Sequence, residues 1–211
     1  MLGDSRRMTT QTTPTIGFLD GPDPTTDAQR MFDEDTAELG YVMTATRLWA
    51  YQPAAMTGLF DLARQITAGQ TLTVRQRSIL VTACASALGD SYCALVWGSR
   101  LAERSNPLTA AGVVRGIDDG LTDAERALAA WARTVAHDPN GTTPADVQRL
   151  RTAGFSDQQI FAITAFVAVR LAFSTVNDAL GLRPDAALSI TAPAVVRDAV
   201  TFGRPIADEQ R

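Results

Sequence analysis

The sequence predicts an all-α fold, a helical bundle, and three observations predict it. No segment shows the period-2 alternation of a half-buried strand. Apolar residues instead recur at helical spacing in successive windows joined by short polar stretches. Those joints carry helix-starting Thr, Ser or Asp and helix-ending Gly where start and stop residues are required.

Taken in order, residues 1–24 are rich in Thr, Gly, Pro and Asp without periodicity and read as a flexible arm. Thr25 or Thr26 then caps a polar helix ending near Gly40, whose Met31, Phe32 and Leu39 are too sparse for deep burial. Residues 43–51 give a short helix with Leu48, Trp49 and Tyr51 turned inward, broken by Gln52 and Pro53. Pro53 opens the next helix, with Met56, Leu59, Phe60, Leu62, Ala63 and Ile66 as its apolar face.

The stretch 72–103 is where chemistry is expected. Thr73 caps a helix running through Ile79, Leu80, Val81, Ala83 and Cys84 to a stop at Gly89. Asp90 or Ser91 caps a second helix, which puts Cys93 in its first turn. Free N–H groups and the helix dipole favour a thiolate there and lower its pKa, while an ionised Asp90 within one turn would raise it by like-charge repulsion; Cys93 is expected to be the reactive cysteine, with Cys84 packing in the core.

Asn106 and Pro107 begin a short helix, and residues 116–120 form a loop. Thr122 with Glu125 three positions on is a capping box for a helix to about His137, whose inner face is Leu128, Ala129, Trp131, Ala132 and Val135. Thr143 and Pro144 open a helix ending at Gly154, and Ser156 caps the last long one, ended by Gly181. Phe161, Ile163, Phe166, Val167, Val169, Leu171, Phe173 and Val176 cover nearly its whole circumference, which places it at the bundle centre or at a subunit interface. Residues 25–183 thus form one domain, and 184–211 a Pro- and Ala-rich tail that docks on a neighbouring subunit or frays.

Composition narrows the function. The 211 residues are 45% hydrophobic and 20% charged, enough for one well-packed domain. A net charge of -4 and no dense Lys/Arg cluster argue against nucleic acid as a partner. One histidine leaves almost no material for a metal site or a Ser/His/Asp triad. Two cysteines are no disulfide framework, and without an export signal a cytoplasmic location is expected. The apolar run 160–176 is interrupted by Thr164, Arg170, Ser174 and Thr175, and falls short of the ~20 apolar residues of a membrane crossing.

The order of parts resembles alkylhydroperoxidase D-like and carboxymuconolactone decarboxylase-like proteins. The resemblance spans 48–204 and rests on Tyr51-Gln52-Pro53 leading into a helix, the 72–103 stretch, LTDAERALAAWARTVAHDP, LRTAGFSDQQI, DALGLRPD and VTFGRP. It implies homo-oligomers, trimers or hexamers, and a small organic molecule as ligand. The peroxidase branch carries a glutamate, then Cys-x-x-Cys, then a histidine, and those spacings fall on Ser78, Asp90, Cys93 and Trp97. Cys93 alone is kept, at the position of the attacking cysteine, so the motif is degenerate.

Three readings follow. In the first, the protein is a cofactor-independent enzyme on a small metabolite, with Asp90 as acid or base, helped by Tyr92, Cys93 or Ser78, and Trp97 walling the substrate pocket. In that reading Asp90 competes with its plain role as a helix cap, and Trp97 with simple core filling. In the second, Cys93 is a one-cysteine peroxidase resolved by an external thiol. In the third, the chain is a non-catalytic oligomeric binding protein. No reading calls for a cofactor or a metal.

Overall fold

The computed structural model describes residues 15–69 and 72–208. Its centre is a helical hairpin, α4 (Val74–Leu88) and α5 (Ser91–Arg104). The Thr73 hydroxyl accepts the Gln76 N–H while the Gln76 side chain accepts the Thr73 N–H, so α4 opens with a full capping box. It closes at Gly89, whose φ of 79° lies in the left-handed region that favours glycine. Every residue of 78–85 is buried, because α4 packs on α5 along one side and on α7 (Asp123–His137) along another, with α6 (Pro107–Arg115) and α9 (Asp157–Ala179) also against it. Each fully enclosed Ile or Leu there contributes about 1.5–3 kcal/mol.

The central helix is therefore α4, and the apolar circumference of α9 did not put α9 there. One face of α9 packs on α3 (Pro53–Thr67), α4 and α7, burying Ile163, Phe166, Val167 and Phe173. Phe161 on the other side is 75% exposed. The helix has 23 residues, long and apolar enough by length and composition alone to cross a bilayer, which corrects the shorter run read from the sequence.

The flanking helices are α1 (Thr26–Leu39), capped by Thr25, and α2 (Thr44–Trp49). Met31, Leu48 and Trp49 are buried, but Tyr51 and Leu62 are each 46% exposed. Helix α2 stops at Trp49, so the helical period that would turn Tyr51 inward does not reach it, and its hydroxyl donates instead to the Asp20 carbonyl. A short 3-10 turn, Pro139–Gly141, follows α7 and leads to α8 (Pro144–Thr152).

Both ends of the described chain fold back on its body. Within the arm, β1 (Thr15–Ile16) and β2 (Leu19–Asp20) form an antiparallel hairpin too short to show alternation, and the Phe18 N–H donates to the Leu180 carbonyl at 2.9 Å. Residues 1–14 of that arm and 209–211 of the tail lie outside the described residues. The tail forms α10 (Leu188–Thr191) and α11 (Ala194–Arg197), and α11 lies on α5 and α6 of its own chain. Gly98 allows that approach, since a Cβ there would sit 2.9 Å from Val196 Cγ1. Further on, the Ser91 hydroxyl donates to the Arg204 carbonyl at 2.8 Å and accepts the Arg204 N–H at 2.9 Å.

Candidate active site

Asp90, not Ser91, caps α5: its Oδ1 accepts the Cys93 N–H at 2.9 Å, while Ser91 is taken up by Arg204. This fixes Cys93 in the first turn, facing α9. Arg170 and Ser174, four residues apart on α9, share one helix face. The Arg170 Nη2 donates to the Cys93 Sγ at 3.6 Å and the Ser174 hydroxyl donates to it at 3.7 Å. The Asp90 carboxylate stands close enough for its charge to act on the thiol. Its Oδ2 has no hydrogen-bond partner among the described residues, although Asp90 is fully buried.

The sulfur is thus surrounded by a cation, a hydroxyl and a carboxylate in a dry site. Burial, reinforced by the Asp90 charge, pushes the Cys93 thiol well above its ordinary value, against the downward pull of Arg170 and Ser174. This corrects the lowered pKa expected at a helix N-terminus. The dipole effect is worth about 0.3–1 kcal/mol at ordinary sites, the Cys93 N–H is already occupied by Asp90, and desolvation by α9 and its neighbours dominates. Cys84, also free and buried, is pushed up to about 12 by burial, with Arg170 opposing and Asp90 adding to the shift.

Arg170 links the thiol to the outside. It is 5% exposed, makes no ion pair among the described residues, and its Nε has no hydrogen-bond partner there. Its guanidinium carbon lies 5.1 Å from the Phe173 ring centre, 5.3 Å from Trp97 and 5.7 Å from Phe60, so three aromatic faces surround the cation. Arg170, Trp97, Phe60 and Phe166 line a cavity of about 540 Å³ that opens between α3, α4, α5 and α9.

The structure brings Cys93 and Asp90 together and joins Trp97 to them through Arg170. Ser78 and Tyr92 stand elsewhere. The Ser78 hydroxyl donates to the Val74 carbonyl at 3.0 Å, and Ser78 does not line the cavity. The Tyr92 hydroxyl donates to Asp185 Oδ2 at 3.0 Å, and its pKa is raised by burial and by the Asp185 charge. Asp185 Oδ1 in turn accepts the Thr44 N–H, so Tyr92 ties α5 to α2 and the tail. Arg170 and Ser174 were visible in the sequence only as interruptions of an apolar run. Their four-residue spacing was the signal that they share a face. No group of three or more His, Cys, Asp or Glu suited to a metal occurs among the described residues.

A buried helix-head cysteine in an all-helical hairpin bundle defines a recognised class of fold. The chain has the alkylhydroperoxidase D-like fold. It is similar to the alkylhydroperoxidase AhpD core of an uncharacterized peroxidase-related protein from Ralstonia eutropha JMP134, with a TM-score of 0.73 and 23% identity over 83% of this chain and 95% of that one. A peroxidase-related protein from Silicibacter sp. TM1040 matches with a TM-score of 0.72 and 19% identity, over 85% of this chain and 97% of that one. The debrominase Bmp8 matches with a TM-score of 0.68 and 19% identity, over 88% of this chain and all of that one. No family model and no curated protein matches the sequence.

Proposed function

We propose that the protein is a single-cysteine thiol enzyme that reduces a small organic hydroperoxide at Cys93 with Asp90 as the base. The observation that carries this reading is the convergence on one buried sulfur of a proton acceptor and two donors, Arg170 Nη2 at 3.6 Å and Ser174 Oγ at 3.7 Å. Neither Cys93 nor Asp90 lines the cavity, so in this reading the hydroperoxide reaches the sulfur past Arg170, and Asp90, set behind the thiol, serves it rather than the substrate.

In the resting state the proton stays on sulfur. Passing it to Asp90 neutralises the carboxylate and leaves the thiolate facing Arg170 and the Ser174 hydroxyl, so the number of buried charges is unchanged while the negative one moves to sulfur. The thiolate attacks the terminal oxygen of the hydroperoxide, the O–O bond breaks, and the leaving alkoxide takes the proton from Asp90 to depart as an alcohol. Cys93 is left as a sulfenic acid. A first external thiol condenses with it, giving a mixed disulfide and water, and a second releases free Cys93 and the external disulfide. A homo-oligomer in the thiol-rich cytoplasm would suit this cycle.

Two of the solved neighbours are described as peroxidase-related, and the debrominase was also solved as a cysteine-to-alanine variant in complex with 2,3,4-tribromopyrrole. The test is consumption of cumene hydroperoxide with dithiothreitol supplied, wild type beside Cys93→Ala, with the mass of each cysteine peptide followed. Consumption that depends on Cys93, with oxygen added to that residue alone, is expected. Absence of consumption together with an unmodified Cys93 sinks the reading.

A further inference from the structure

The cavity outside Arg170 is lined by charge of the opposite sign to the chain's net charge. The protein carries a net charge of -4, yet this cavity is lined by Arg64, Arg77, Arg100, Arg104 and Arg170 against Glu38 and Glu103. Arg64 is engaged by Asp61. The other four arginines make no ion pair among the described residues. Trp97, Arg100 and Arg104 fall on one stripe of α5, and the Arg100 guanidinium carbon lies 4.8 Å from the Trp97 ring centre.

We infer that this cavity recognises a small organic anion, a carboxylate or phosphate on a flat apolar body. As the substrate end of the thiol site the inference rests on that reading, while as a binding site it stands on its own residues. Like charges held around one space repel, and an anion entering it removes the repulsion. Arg170 closes the inner end of the cavity with an Nε that has no hydrogen-bond partner among the described residues, a buried polar group left unsatisfied on the cavity side. Guanidinium groups match the two oxygens of a carboxylate or phosphate, which favours these head groups over neutral ones. Phe60, Trp97 and Phe166 supply flat apolar walls, and about 540 Å³ accommodates a ligand the size of a substituted benzoate. The outer arginines hold the head group, so Arg170 stays with the sulfur.

Titration calorimetry at low salt, on the wild-type protein, with benzoate and phenyl phosphate against the neutral isostere benzamide tests the inference. The anions are expected to bind at least about tenfold more tightly than benzamide, with phenyl phosphate against benzoate deciding which head group is preferred. The preference is expected to shrink in high salt and to vanish in an Arg77→Gln, Arg100→Gln double variant, both positions being accessible enough to change without unfolding the core. Equal affinities, no binding of any probe, or a preference that survives in a folded double variant would overturn it. Turnover separates this inference from the peroxidase reading. Anion preference with no hydroperoxide consumed ends the peroxidase reading alone. Consumption of cumene hydroperoxide without anion preference ends the anion site alone.

Discussion

Cys84 and Cys93 are equally buried, each 1% exposed, yet the middle of α4 and the head of α5 surround them with different chemistry. Cys84 belongs to the main apolar core with Leu80, Leu101 and Leu128. Cys93 belongs to a second cluster with Trp49, Met56 and Phe173, into which Arg170, Ser174 and Asp90 bring charge and hydrogen bonds. Burial raises both thiols, so exposure does not distinguish them. The charges of Arg170 and Asp90 reach both thiols, but Arg170 and Ser174 donate hydrogen bonds to the Cys93 sulfur, and that contact distinguishes them.

Exchange of the two cysteines breaks the comparison most directly. Cys93→Ala should lower thiol-dependent hydroperoxide turnover to the buffer rate, a loss of about a thousandfold or more, whereas Cys84→Ala should change it less than about twofold, both read in the cumene hydroperoxide assay. Asp90→Asn comes next. Asparagine caps a helix as well as aspartate, so the fold and melting temperature should hold while turnover falls about a hundredfold, the loss of the base alone. An equal loss of melting temperature would reduce Asp90 to a cap.

Smaller effects sharpen the contrast. Ser174→Ala removes a donor worth about 1 kcal/mol, which should slow Cys93 alkylation by iodoacetamide a few fold and leave Cys84 unaffected. Finally, Cys84 ionises at about 9.0 when unfolded and at about 12 when folded. Above pH 9 the folded state keeps a proton that the unfolded chain releases, so the stability contributed by the neutral thiol is fully present below pH 9 and is lost as pH rises toward 12. The slope is about 1.4 kcal/mol per pH unit for one such thiol. Urea midpoints between pH 8 and pH 10 should fall for the wild type and fall less for Cys84→Ala.

The parts of the fold that were legible in the sequence are those whose cause is local. The capping boxes at Thr73, Thr122, Thr143 and Ser156 each close within three residues, so the starts of α4, α7, α8 and α9 could be read directly. The inner face of α7 followed from its periodicity, and Leu128, Ala129, Trp131, Ala132 and Val135 are all buried. The choice between Asp90 and Ser91 could not be read, because it is decided by Arg204. The site was legible only in part for the same reason. Its donors to Cys93 lie 77 and 81 positions along the chain, and the desolvation that reverses the expected pKa shift comes from helices whose placement no window around Cys93 reveals. Tyr51 and Leu62 mark the opposite error, an apolar period carried past the point where packing supports it.

The Ser91 clasp on Arg204 spans 113 positions, and it closes at the residue next to the cap of the cysteine helix. During synthesis, α4 and α5 emerge early and can form their local caps at once, but the head of α5 is not clasped until residue 204 has been made. The donors to Cys93 are made by residue 174, so synthesis supplies every group that touches the sulfur before it supplies the clasp on the neighbouring residue. A chain ended before residue 204 would carry the whole thiol site and lack only that clasp.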